Sequence, residues 1–290
     1  MVADGTLARP LTGFAAGVPY VAVPPYDGGA APMVIALHAF EPPRSEAALA
    51  GTLPLTRLPA WRFYLGLPMF GARLPKGGVA EVNHLGQSDY LLHLYGPVIE
   101  QAAMELVEVA EELRERFPVH DGPFGLAGVG AGGAAALLAL AESRLPIGAM
   151  AVVNPIIDPT PVLAARERHL GIAYHWSEQS REAAAWLDFT ARAAEIGARA
   201  PLPPLLVITG GLDEVIRPEH GQAFHDALAP YHPAPALRHV VIPDLAHTMG
   251  PEPGLVPGPP TPGSVLVDRA LTEWFHLHLT SAVEETVRFR

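Results

Sequence analysis

Cysteine is missing from all 290 residues. Its absence excludes disulfide frameworks, thiolate metal centres and a cysteine nucleophile, and it fits a cytoplasmic setting. Charge is sparse and leans one way: 17% of the residues are charged and the formal net charge is −11. Nucleic acid and anionic membrane, which call for a basic surface, are therefore not expected as partners. Apolar runs stay shorter than the roughly 18 residues that a bilayer-crossing helix requires. Met1 to Pro10 lacks the charged-then-apolar order of a secretory leader. The thirteen histidines show no HExxH and no other ligand-like spacing. Neither metal nor organic cofactor is expected, and His276 and His278 read as the solvated end of the last helix. What is plentiful is hydrophobic side chain, 49% of the chain. That suffices for a folded globule with a substantial core.

Short apolar runs alternate with longer helical ones, the pattern of an α/β protein with a mainly parallel sheet flanked by helices. "VPYVAVPPYDGG" reads as an edge strand and turn, "PMVIALHAF" as a buried strand and "WRFYLGLP" as the next. Glu81 to Phe117 has helical spacing with a break near Gly96-Pro97. Then follow the strand "FGLAG", the helix "AAALLALAES" and the strand "IGAMAVVNPII". After an insertion come "PLLVITGG", a helix from Pro218 to Leu228, "LRHVVIP" and a final helix from Ser264 to Leu279. The insertion, residues 158–200, has helical periodicity and proline-rich joints at Pro159 to Pro161 and Pro201 to Pro204. One domain over 1–290 with a small helical cap at 158–200 is the expected organisation. The segment "PEPGLVPGPPTPG" reads as an ordered or semi-rigid loop.

The chemistry turns on "PFGLAGVGAGGAAALLAL", a strand, a knot of small residues and a helix. Gly128, Gly130 and Gly133 match GxGxxG, whose glycines let a pyrophosphate approach a helix N-terminus. Two observations count against a dinucleotide site. Several strands precede the turn, and the ribose-binding acid due about 20 residues later is missing; Asp158 lies too far on. Alternatively, Gly128 and Gly132 are the outer glycines of GxSxG, with Gly130 where serine stands. Downstream, Asp213 follows the strand "PLLVITGG" and His247 follows "LRHVVIP", in the order elbow, acid, histidine. Taken singly, Asp213 reads as a helix cap or loop holder and His247 as a loop histidine. Together they read as catalytic in ancestry. Glu214 is the second-choice acid.

On these residues the chain resembles the α/β-hydrolases, particularly the esterase and prolyl-oligopeptidase-like branch. The likeness runs from His38-Ala39-Phe40 through Gly128 to Gly133 and on to "GGLDEVI" and "LAHTM". It implies an α/β-hydrolase fold, Asp213 and His247 as two triad members, and an oxyanion hole from the amides of Ala39 or Phe40 and of Ala131. The departure is Gly130 at the nucleophile position. Ser88 and Ser143 do not supply a substitute, the first within a helix and the second after one. Three functions stay open: a carboxylic ester, lactone or amide hydrolase by lineage that has lost its nucleophile; a catalyst using His247 and Asp213 as a general-base dyad; and a non-catalytic small-molecule-binding pocket. Tyr174, His175 and Trp176 read as a packed helix face or, alternatively, as a lid lining the substrate. Trp61 and Phe70 read as core, and His38 as a loop-stabilising histidine.

Overall fold

The computed structural model describes residues 9–199, 202–232 and 234–280. Most of the segment read as lacking a leader lies outside these residues, as do residue 200 at the end of the insertion and Pro201 in its proline joint. The strands are β1 (Leu11–Ala15), β2 (Val18–Val23), β3 (Met33–Leu37), β4 (Trp61–Leu65), β5 (Phe124–Val129), β6 (Ile147–Val153), β7 (Leu205–Leu212) and β8 (Leu237–Ala246). They form one sheet in the order β1-β2-β4-β3-β5-β6-β7-β8. β1 with β2 and β2 with β4 pair antiparallel; every later pairing is parallel. All residues of β3, β4 and β5 are buried, because a parallel sheet covered by helices needs apolar side chains on both faces.

The helices are α1 (Glu46–Thr52), α2 (Gly78–Ser88), α3 (Gly96–Arg116), α4 (Ala131–Glu142), α5 (Thr160–Leu170), α6 (Glu178–Trp186), α7 (Ala193–Gly197), α8 (Pro218–Leu228) and α9 (Pro262–Phe275). α3, α4 and α8 pack into one apolar layer and α1 and α9 into the other. Each fully buried Leu or Ile contributes about 1.5–3 kcal/mol, so the layers fix the sheet whose carboxyl ends carry the site. α3 buries Val98, Ile99, Ala102, Ala103, Leu106, Val109, Ala110 and Leu113 along one stripe. α4 is apolar all round because sheet, α3 and α7 enclose it. No helix among the described residues is long and apolar enough to cross a membrane.

The structure shifts several sequence boundaries. The edge strand is β1, "LTGFA", and "VPYVAV" is its inner neighbour. β1 was hidden because one face of an edge strand is solvated and leaves a weak apolar signal. The helical break falls at Asp89, whose carboxylate accepts the Leu91 and Leu92 amides at 3.1 and 2.9 Å. Gly96-Pro97 does not interrupt: a wide π turn over Tyr90–Tyr95 runs straight into α3, with the Gly96 amide on the Leu91 carbonyl. A proline at a helix's first turn needs no donor. His276 is exposed, but His278 packs edge-on against Trp274 at 4.2 Å. Within the insertion, α5, α6 and α7 lie between β6 and β7; α7 packs on α4 and α8, and α6 on the π turn before α3.

Candidate active site

The glycine turn joins β5 to α4 at the centre of the sheet. Gly130 has φ 52° and ψ −116°, a left-handed conformation that glycine adopts without the strain a Cβ would bring. Its amide donates to the Val153 carbonyl at 2.9 Å, and its own carbonyl accepts Ala134 and Ile156 amides at 3.1 and 3.2 Å. The neighbouring glycines serve close approach. A Cβ on Gly132 would press on the Leu37 and His38 carbonyls, and one on Gly128 on the Gly132 backbone. The turn is thus a tightly packed strand-to-helix elbow with no reactive side chain at its tip.

Asp213 and His247 meet beside this edge of the sheet, His247 Nδ1 lying 2.9 Å from Asp213 Oδ2. Asp213 is buried, and its Oδ1 accepts the Val215 and Ile216 amides at 2.8 Å each. One Asp213 oxygen fixes the loop and the other faces the imidazole. With Nδ1–H donating to Asp213, Nε2 is left to carry a proton in or out. Burial pulls the His247 pKa down, but the bond to Asp213 and the charges of Glu41 and Asp213 outweigh it, and the net direction is up from 6.5. Glu214 is exposed, which removes it as the acid.

Asn154 was missed by sequence reasoning. It is fully buried with φ 42° at the end of β6. Its Nδ2 donates to the Ala246 carbonyl at 2.8 Å and its Oδ1 accepts the Gly210 amide at 2.8 Å, bracing the ends of β7 and β8 that carry Asp213 and His247. A lone asparagine in "VVNPII" gives no periodic signal; only its place after a buried strand pointed to a turn.

The loop after β3 supplies the opposite wall. The Ala39 amide donates to the Pro43 carbonyl at 3.2 Å, so Ala39 is corrected as an oxyanion donor: its N–H is already engaged. The next amide, Phe40, is not so engaged, and that of Ala131, first residue of α4, has no partner within its helix. His38 is fully buried, with Nδ1 on the Ala39 carbonyl at 2.8 Å and Nε2 accepting the Leu67 amide at 3.0 Å. Burial, opposed by the bond to Ala39 and aided by the Arg73 charge, pushes it down to about 4; it is a neutral loop support.

The second residue that sequence reasoning missed is Glu41. Its Oε2 lies 3.8 Å from His247 Nε2 and 4.0 Å from where a Cβ on Gly130 would stand. That oxygen is shielded from solvent and has no hydrogen-bond partner among the described residues. A signal was present: the residue follows directly on the oxyanion loop, at the carboxyl edge of the sheet where ligands bind. A carboxylate this close to the N-terminus of α4 also repels a pyrophosphate, which opposes the dinucleotide reading.

Ser88 Oγ donates to the Leu85 carbonyl and meets His93 Nδ1 at 2.9 Å; Ser143 caps α4. Trp61 stacks on Phe63 in the core, and Phe70 packs on Phe40 at 4.6 Å. Tyr174 Oη donates to Asp89 at 2.6 Å, and its ring meets Trp176 edge-on at 5.0 Å. Tyr174 and His175 line a cavity of about 520 Å³ with Ser88, Asp89, Tyr90 and Arg166, whereas Gly130, Asp213 and His247 do not line it.

The sequence profile of the prolyl oligopeptidase family matches residues 85–254, a span that takes in the glycine turn, Asp213 and His247. Among solved structures, TT1662 from Thermus thermophilus is 21% identical with a TM-score of 0.65, covering 92% of this chain and 97% of its own. A puromycin-hydrolyzing peptidase of Mycobacterium tuberculosis is 16% identical with a TM-score of 0.65, covering 96% of this chain and 41% of its own. The Pyrococcus furiosus esterase Pf2001 is 13% identical with a TM-score of 0.56, covering 93% of this chain and 92% of its own. This chain therefore spans nearly all of two of these structures and about two fifths of the third. At such identities the likeness speaks for the fold. No curated protein matches the sequence.

Proposed function

The chain belongs to the prolyl oligopeptidase family of α/β-hydrolases, and from that premise we propose that it acts on the carbonyl group of a small ester, lactone or amide, with His247 and Asp213 moving the proton and no covalent acyl-enzyme. The observation that carries this reading is the 2.9 Å contact between His247 Nδ1 and a buried Asp213 oxygen. Fixing the loop requires only Oδ1; the second oxygen is committed to an imidazole whose Nε2 lies 3.8 Å from Glu41 Oε2. Burying a carboxylate is costly unless it is fully hydrogen-bonded, and here the bonds also set the tautomer that proton transfer needs.

Gly130 has no Oγ, so the attacking oxygen comes from water. The substrate carbonyl oxygen rests against the Phe40 and Ala131 amides, where its developing charge is stabilised, and the His247–Asp213 pair moves a proton of the reaction. The test is turnover of a panel of p-nitrophenyl esters, lactones and anilides by the protein, by His247→Ala and by Asp213→Asn. We expect hydrolysis without a burst phase and without labelling by a serine-directed phosphonate, falling about 100-fold or more in His247→Ala. A folded protein that turns over nothing on the panel sinks the proposal. The missing hydroxyl itself favours a second reading, a non-catalytic pocket for a small neutral molecule, which a thermal-shift screen with uncleavable amides and lactones would detect. The absence of cysteine supports a cytoplasmic setting.

A further inference from the structure

We infer that Glu41 is a catalytic residue, the base that takes the proton from the attacking water, and that His247 gives its own proton to the leaving group. The inference rests on the hydrolytic reading above. Three observations point to it. The first is position: Oε2 lies 3.8 Å from His247 Nε2 and 4.0 Å from the Cβ site of Gly130, near both the imidazole and the tip of the elbow. The second is fixation. The Met249 amide donates to the Pro42 carbonyl at 3.0 Å, the Arg44 amide to the Gly254 carbonyl at 2.9 Å, and Arg44 pairs with Glu252 at 2.8 Å. The loop bearing Glu41 and the chain after His247 are thereby held as one unit. The third is an unmet demand. Among the described residues Oε2 is enclosed without a donor, while the side chain as a whole is 33% exposed.

Its surroundings suit a base. The carboxylate lies within electrostatic reach of Tyr90 and Tyr95, and burial, aided by charges that include Glu41, pushes both phenols up. They stay protonated and do not compete for the proton. His247, flanked by Asp213 and Glu41, is biased toward the imidazolium, the form that an acid requires. Two groups with separate duties replace one histidine that would otherwise serve as both.

The steps balance with water alone. A water O–H proton moves to Glu41 Oε2 while the water oxygen bonds to the carbonyl carbon. The carbonyl π pair shifts to the oxygen held by the Phe40 and Ala131 amides. Collapse re-forms the C=O and breaks the bond to the alcohol or amine, which departs with its electron pair and takes the Nε2 proton of His247. The proton on Glu41 then passes to Nε2, and both groups return to their starting forms. Nothing is oxidised or reduced.

The test compares the protein with Glu41→Gln, Glu41→Asp and Glu41→Ala in steady-state ester hydrolysis across pH. We expect kcat of Glu41→Gln to drop about 100-fold or more with little change in KM, the acid limb of the kcat profile to disappear, and added formate to restore turnover in Glu41→Ala. Formate rescue is a readout that a merely structural glutamate would not give. Full activity and an unchanged pH profile in Glu41→Gln, with His247→Ala inactive, overturns the role of Glu41 and leaves the hydrolytic reading standing. Faster turnover in Glu41→Gln makes the carboxylate an obstruction and overturns it too. No turnover by the unmodified protein overturns both, and is told apart by the inactivity of every form.

Discussion

The two sides of the site follow different rules. On the Asp213–His247 side, both Asp213 oxygens are bonded, one to two loop amides and the other to the imidazole, and Asn154 separately ties the strand ends together. On the Gly130–Glu41 side, the backbone is equally exact, but the tip carries no side chain and, among the described residues, Glu41 Oε2 has no hydrogen-bond partner. The difference separates architecture from chemistry. A strand-to-helix elbow is specified by close backbone packing and a left-handed centre, neither of which needs a hydroxyl. A glycine at the tip is compatible with that geometry and with the Asp213–His247 pair beside it.

The sharpest way to break the comparison is to attack the architecture itself. Gly132→Ala places a methyl against the Leu37 and His38 carbonyls, which are backbone atoms of β3 and its loop and cannot rotate away. We expect a loss of about 3 kcal/mol or more, at the upper end of overpacking penalties, read from urea unfolding midpoints. Gly130→Ala, whose Cβ comes nearest to the Ala39 methyl, at 3.0 Å, should cost about 1–3 kcal/mol for the left-handed backbone. Equal effects at the two positions would mean that the turn is not held by the approach of α4 to β3.

The second test returns the missing chemistry. Gly130→Ser restores an Oγ, but Glu41 Oε2 is already 3.8 Å from the Nε2 that must activate it. We expect the single variant to react slowly with a serine-directed phosphonate and the Gly130→Ser, Glu41→Gln double variant to react at least about tenfold faster, a barrier change of about 1.4 kcal/mol. Labelling rates by intact mass give the comparison. A single variant that labels as fast as the double one shows that Glu41 does not stand between the two sides.

How much of this was legible beforehand differs between the same two sides. The alternation of apolar runs disclosed the parallel sheet, because buried strands such as "MVIAL" and "FGLAGV" must be apolar on both faces. The order of elbow, Asp213 and His247 was legible because each follows its strand at the carboxyl edge. β1 escaped because half of an edge strand faces water. Glu41 and Asn154 escaped for another reason: each acts through contacts with residues far away in sequence. Asn154 bridges to Ala246 and Gly210, and Glu41 faces His247. A single polar residue after a strand carries no period from which such a partner can be read. The engaged amide of Ala39 was equally invisible, since backbone donors leave no mark on composition.

The smallest effect belongs to proton linkage between the two sides. His247 is raised above 6.5 in the folded protein despite its burial, through the bond to Asp213 and the charges of Glu41 and Asp213. The stabilisation from this histidine is therefore complete below pH 6.5 and is lost as pH rises through the folded value. His38, His239 and His278 are all lowered by burial, so their contributions run the other way, and the total pH dependence does not isolate His247. The difference between the protein and Glu41→Gln does, because those three histidines cancel. Measured by urea unfolding between about pH 5 and about pH 8, the stability advantage of the unmodified protein should be largest at the acid end and shrink as pH rises. Asp213→Asn should shrink it further, since the bond to Asp213 is the stronger of the raising influences. An advantage that stays constant with pH would mean that Glu41 and His247 do not sense each other's charge, and the two sides of the site would then be neighbours without being partners.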